Sequence, residues 1–194
     1  MSESWDDYAD GWDSDESVKT YSELAYRSLL KEFNPQECRI FDFGCGTGLL
    51  TEKLSRHAVS IVALDPSEKM IAVLNDKGLQ NVTTITSELH QQLIDSSEIF
   101  TTGFDLIVAS SALAFVADYE QSLRLLKQLL KPGGLFIQWD WLKHENAEGR
   151  GFSKLQILSA FEKAGFTECT TSIPFSLASE HGSMEVIMGI GRTD

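Results

Sequence analysis

Three glycines at alternate positions, Gly44, Gly46 and Gly48, follow directly on the run Ile40-Phe41-Asp42-Phe43, with Cys45 and Thr47 between them. Residues without a Cβ bring backbone close to a ligand, so a strand entering such a turn and leaving as a helix makes a site for a nucleotide-like molecule. Seventeen residues beyond Gly48, the run Ser60 to Leu64 ends in Asp65-Pro66-Ser67. That spacing puts the Asp65 carboxylate at the carboxyl edge of the neighbouring strand, where it can accept from two ribose hydroxyls. An arginine there would suit a 2′-phosphate instead. The dinucleotide fingerprint G-x-G-x-x-G/A is not met, because Leu49 holds the third-glycine position and is poor for pyrophosphate packing. Asp42 adds negative charge two residues before the turn, so the expected ligand is a cationic nucleoside rather than a diphosphate.

Other reactive side chains give weaker patterns. His144 follows Trp139-Asp140-Trp141-Leu142-Lys143 off the carboxyl end of a strand, the edge where α/β sheets bind ligands, and it is the candidate general base. His57 and His90 read as surface residues, and His181 falls in a hairpin turn. Trp139 and Trp141 either form an apolar or cation-binding wall or divide between core and surface. No His, Cys, Asp or Glu cluster has metal-ligand spacing and no serine sits in a nucleophile elbow, so neither a metal nor acyl-enzyme chemistry is expected. Cys38, Cys45 and Cys169 are odd in number and lack CxxC spacing, which fits a reducing compartment.

These residues need a sheet to hold them, and the chain alternates short β-branched or aromatic runs with longer helical ones, the pattern of an α/β domain. Strands are predicted at 39–43, 60–64, 82–86, 104–109 and 135–139. Helices are predicted at 17–33, from Gly48 to about 56, from the cap Ser67 to about 76, over 119–130, and from the capping box Ser153/Gln156 to about 164. Lys131-Pro132-Gly133-Gly134 ends the helix over 119–130 and also opens the fifth strand, and 88–102 reads as mostly loop with a short helix. The last two runs, 166–175 and 184–191, have no helix between them and should pair antiparallel.

The 194 residues carry 16 Lys+Arg against 29 Asp+Glu, a formal charge of -13, with 42% apolar residues. Such a chain buries an ample core as one domain, here 1–194, with an N-terminal lid and helix over 1–36 and a Rossmann-like core over 37–194. Seven acids and no base fall in residues 1–16. The absence of a basic stripe argues against nucleic acid, because affinity for it rests on Lys and Arg at phosphates. The acidic N-terminus has no signal-peptide pattern and the run from Leu106 to Ala117 is too short to span a bilayer, so no membrane and a cytoplasmic location are expected. Oligomeric state stays open.

With DFGCGTG at 42–48, ALDPSEKM at 63–70, FDLIVASSALAFV at 104–116 and LLKPGGLFIQW at 129–139, the chain resembles the class I S-adenosylmethionine-dependent methyltransferases of small-molecule type. The resemblance implies an α/β fold with a seven-stranded, mostly parallel sheet in the order 3-2-1-4-5-7-6, the last strand antiparallel and helices on both faces. It implies S-adenosyl-L-methionine as cofactor, with the methionine moiety against Gly44, Cys45, Gly46 and Gly48, and Asp42 on its amino-group side. The ribose then lies on Asp65 and the adenine between Pro66 and Met70, with Glu88 near the adenine amino group and Ser110 a cofactor neighbour. Leu113-Ala114-Phe115 replaces the Leu-His-His-like run of many small-molecule members, which removes a polar substrate contact.

The implied reaction is methyl transfer to a small molecule by in-line displacement, in which alignment matters more than any fixed catalytic residue. A protein methyltransferase and a non-catalytic S-adenosylmethionine or S-adenosylhomocysteine binding module remain alternatives, as does a nicotinamide oxidoreductase. Trp5, Tyr8, Trp12 and Tyr21 are unusual aromatics for an acidic tail and should be partly buried. Related enzymes often fold such a segment over the strand edge, which makes Tyr8 and Trp12 candidate contacts near the methionine end.

Overall fold

The computed structural model describes residues 5–144, 149–179 and 182–194. Strands β1 (Arg39–Phe43), β2 (Ser60–Asp65), β3 (Val82–Thr86), β4 (Phe104–Ser110), β5 (Leu130–Trp141), β6 (Thr167–Ser179) and β7 (Gly182–Arg192) form one sheet in the order β3-β2-β1-β4-β5-β7-β6. Pairing is parallel from β3 through β5, and β7 runs antiparallel to both β5 and β6. This is the order that the resemblance implied. Helices α1 (Glu16–Glu32), α2 (Leu49–Ser55), α3 (Glu68–Asp76), α4 (Gln91–Ser96), α5 (Tyr119–Gln128) and α6 (Lys154–Ala164) cover the two faces. Among the described residues no helix is long and apolar enough to cross a membrane.

Alternation along each strand divides the core in two. Phe41, Phe43, Ile107, Ala109 and Phe136 face Leu123 and Leu126 of α5 and Ile157 and Phe161 of α6. Ile40, Leu106, Val108, Ile137 and Trp139 face Tyr21, Ala25 and Leu29 of α1 and Leu50 and Leu54 of α2. Trp139 is therefore core, and its indole N–H donates to Ser28 Oγ across 2.8 Å. Helix starts follow the side-chain caps: Asp15 accepts from Ser17 N, Ser67 from Met70 N, and Ser153 and Gln156 form the reciprocal capping box.

Two stretches differ from the sequence expectation. Lys131-Pro132-Gly133-Gly134 follows the end of α5 and opens the fifth strand as expected, but β5 already begins at Leu130 rather than Leu135. Gly133 N donates to Thr193 O and Thr193 N to Gly134 O, so extended backbone finds partners at the chain's C-terminal end, at the cost of a register shift against β4. Between 88 and 102, His90 caps α4 by accepting from Leu93 N at its Nδ1, and a 3₁₀ turn at Glu98–Phe100 follows. His181 lies outside the described residues.

Ser28→Ala leaves the buried Trp139 N–H without an acceptor and is expected to cost about 1–3 kcal/mol of stability. A urea titration checks this, and an unchanged midpoint would show that the bond adds nothing.

Candidate functional site

The sheet's carboxyl edge opens into a cavity of about 820 Å³ whose wall runs from Glu88, after β3, to Leu177 and Met184 of the β6–β7 hairpin. Its floor is the β1–α2 turn. Gly44 N and Cys45 N both donate to Leu64 O, at 2.8 and 3.1 Å, which locks the turn to the end of β2. Asp65 then ties two backbones together: Oδ2 accepts from Gly46 N at 2.9 Å and Oδ1 from Ser67 N at 2.9 Å. Each oxygen keeps a lone pair for a further donor, the geometry a ribose diol would use. Burial raises the Asp65 carboxyl above the usual range despite these two bonds.

The three glycines do different work. Gly46, at φ +54°, would meet nothing within 4 Å if it carried a Cβ, so its backbone faces open space in the cavity wall. A Cβ on Gly44 would instead strike Ala112, and one on Gly48 would strike Leu74 of α3. Positive φ favours glycine at all three positions, protein packing further requires it at Gly44 and Gly48, and Gly46 is the one of the three whose open side leaves room for a ligand. Gly48 is not part of the cavity wall.

Asp42 is buried on the α2 face of β1, where Thr51 Oγ1 donates to its Oδ2 at 2.6 Å. Desolvation pushes its pKa from 3.8 to about 7, with Asp65 adding in the same direction and Thr51 opposing. An ammonium group beside it would restore the carboxylate, so the site is tuned for a cation. Burial also pushes the Cys45 thiol well above its ordinary value, which leaves it unreactive. Pro66, Met70, Glu88 and Ser110 stand in the same wall. The residues present fit S-adenosylmethionine: an open glycine backbone, a ribose carboxylate and an acid for the amino group lie along one edge.

Residues 5–14 lie over this edge. Asp6 Oδ1 accepts from Ser67 Oγ and, at 3.3 Å, from Lys69 N. Asp13 accepts from Thr47 Oγ1 and pairs with Lys77 at 2.8 Å. The two acids thereby fasten the segment to the cap of α3 and to the glycine turn. Trp5 and Trp12 line the cavity, and Trp5 meets Phe115 edge-on at 4.8 Å between ring centroids. Tyr8 is not in the wall; it packs behind, 5.9 Å from the Trp5 ring and 6.4 Å from Trp12.

The second half of the cavity was less visible in the sequence. Tyr21 and Ser22 of α1, Ser111 and Ala112 after β4, Phe115, Trp141, Leu177 and Met184 build it. Ser111 sits at φ +55°, strained for a residue with a Cβ, and its N–H donates to Trp139 O at 2.7 Å. The Tyr21 hydroxyl is buried, and burial, with Asp140 adding to it and Ser111 opposing, holds it well above the usual tyrosine pKa. Only the helical phase of Tyr21 hinted at an inward-facing ring. His144 is exposed, pairs with Glu185 at 3.5 Å, and lies outside the cavity wall.

Comparison with known proteins agrees with this geometry. Residues 41–136 match the family described as a methyltransferase domain. An uncharacterized methyltransferase, C1347.09, of Schizosaccharomyces pombe is 30% identical over 150 residues, covering 66% of this chain and 53% of its own length. The mitochondrial ubiquinone biosynthesis O-methyltransferase of Homo sapiens is 34% identical over 109 residues, covering 51% of this chain but 28% of its own. The chain thus spans about half or less of these curated relatives. In fold it superposes on the complex of DhpI with SAH at a TM-score of 0.73 and 22% identity, covering 97% and 93% of the two chains. Together these matches support a class I S-adenosylmethionine-dependent methyltransferase domain with S-adenosylmethionine as its cofactor.

Asp42 gives the site a pH signature of known sign. S-adenosylhomocysteine carries the same ammonium group, so its affinity is expected to fall as pH drops below about 7 and Asp42 must be deprotonated to receive it. In the ligand-free protein the effect reverses: the folded state holds a proton that the unfolded state releases near 3.8, so stability declines from there up to about 7. Calorimetric titration of wild type and Asp42→Asn from acid to neutral pH checks both. A wild-type affinity that does not change with pH would remove Asp42 from the amino-group site.

Proposed function

We propose that the protein transfers a methyl group from S-adenosylmethionine to a small-molecule acceptor. The observation that carries this reading is the continuity of one cavity, acidic over β1 to β3 and aromatic beyond β4. A binding module needs only the first half. When bound, the cofactor supplies an electrophilic methyl group, whose bond to sulfur breaks as an acceptor lone pair forms the new bond.

The chain's own residues contribute by placement. Asp65, Gly46 and Asp42 would hold the nucleoside and amino acid ends of the cofactor, beside the aromatic half of the same cavity. Trp5 and Trp12 exclude water above it, which keeps the reacting groups aligned in a dry site. The human relative is an O-methyltransferase of ubiquinone biosynthesis, which supports a small-molecule acceptor. His144 is not needed, because its imidazole is exposed away from the wall.

Two outcomes are expected. Incubation with methyl-labelled cofactor and a metabolite extract yields a labelled small molecule, whereas retention of intact cofactor with no product would leave only a binding module. Asp6→Ala combined with Asp13→Ala removes both fastenings of residues 5–14, so transfer should fall while the core stays folded. Proteolysis with and without S-adenosylhomocysteine reads the same change. Wild-type turnover and protection in the double variant would show that the segment is no lid.

A further inference from the structure

Resting on the methyltransferase reading, we infer that the Trp12 indole senses the charge on the cofactor's sulfur. Its ring holds the sulfonium of S-adenosylmethionine by a cation–π contact that the neutral thioether of S-adenosylhomocysteine does not make. Methyl transfer removes that charge, because the methyl group leaves its bonding electrons on sulfur. Residues 5–14 thus grip the cofactor before transfer and loosen their hold after it.

The position of Trp12 follows from the fastening of its neighbour. In the cofactor the sulfur joins the amino acid end to the ribose, so a molecule held at one end by Asp42 and at the ribose by Asp65 carries its sulfur between these carboxylates. The glycine turn is the backbone that bridges them, from the end of β1 to the Gly46 N–H that donates to Asp65. Asp13 is tied to this turn by accepting from Thr47 Oγ1, and it pairs with Lys77 at 2.8 Å. Trp12, next in the chain, stands in the same wall as Gly44, Cys45 and Gly46.

The ring is held at a fixed tilt. Trp5 meets it at 90° with 6.1 Å between centroids, and Tyr8 at 73° with 6.4 Å. Its backbone enters from Gly11 at φ +88° and forms a 3₁₀ turn closed by Asp15 N–H donating to Trp12 O at 3.2 Å. An indole has the strongest attraction for a cation of any aromatic side chain, and the attraction grows where water is excluded.

The other charged groups of the wall do not separate the two molecules in this way. Among the described lining residues there is no Lys, Arg or His, and the acids are Asp42, Asp65, Glu88 and Asp118. Asp42 and Asp65 would meet the ammonium group and the ribose, which both molecules share. Asp118 caps α5 by accepting from Gln121 N at 2.9 Å. Whatever preference for positive charge these acids create survives removal of the ring. Losing Trp12 therefore changes the ratio of the two affinities by the ring's own share, whereas a ring that only excluded water would support both molecules alike.

Calorimetric titration of S-adenosylmethionine and S-adenosylhomocysteine into wild type, Trp12→Leu and Trp12→Phe, without acceptor, tests this. Working at about pH 8, above the pKa of about 7 for Asp42, keeps the amino-group site ionised throughout. We expect affinity for S-adenosylmethionine relative to S-adenosylhomocysteine to fall about fivefold in Trp12→Leu, and by less in Trp12→Phe, whose smaller ring attracts a cation more weakly. Amide hydrogen exchange over residues 5–14 should be slower with S-adenosylmethionine than with S-adenosylhomocysteine in wild type and alike with both in Trp12→Leu. Equal weakening of both molecules, or an unaltered ratio, would overturn the inference, and the Trp12→Phe ratio decides it if Trp12→Leu does not fold. If neither molecule binds wild type, the methyltransferase reading fails with it.

Discussion

The Asp65 carboxylate is the joint on which the site turns. One oxygen fixes the glycine turn through Gly46 N–H, and the other fixes the start of α3 through Ser67 N–H. Because Ser67 also caps α3 and donates to Asp6, the same joint reaches the segment that covers the cavity. Bonds to an ionised acceptor are stronger than neutral ones, and here they are shielded from water. Asp65 is therefore both part of the fold's edge and the group that a ribose would meet.

Geometry around this joint divides the cavity by charge. The β1–β3 side gathers Asp42, Asp65 and Glu88, while the β4–β7 side gathers rings and aliphatic chains. Burial raises the proton affinity of Asp42, and the Asp65 charge adds to it. A ligand with a positive end relieves that strain. The acidic half therefore suits a ligand with a positive end, whereas the other half offers mainly rings and aliphatic chains.

Much of this was legible in the sequence, because local rules place it. The Gly44 to Gly48 turn, Asp65 and the Ser153/Gln156 capping box depend on neighbours a few residues away, and the strand order followed from the resemblance. The packing roles of Gly44 and Gly48 were not legible, since they depend on Ala112 and Leu74, remote in the chain. The same holds for Lys131-Pro132-Gly133-Gly134, whose extended form is set by Thr193. Trp12 was found from composition, but Trp5 rather than Tyr8 stands beside it in the wall, a choice made by the Phe115 contact. Tyr21 was read as part of an acidic aromatic stretch, and only its burial against Trp141 and Phe175 shows its place.

The central claim is that the cofactor lies across the Asp65 joint. Backbone amide shifts measured by nuclear magnetic resonance during titration with S-adenosylhomocysteine test it most directly. The account expects the largest changes at Gly46, Ser67 and Glu88, with none of comparable size when NAD is added. Shifts confined to other parts of the sheet edge, or a matching response to NAD, would contradict it.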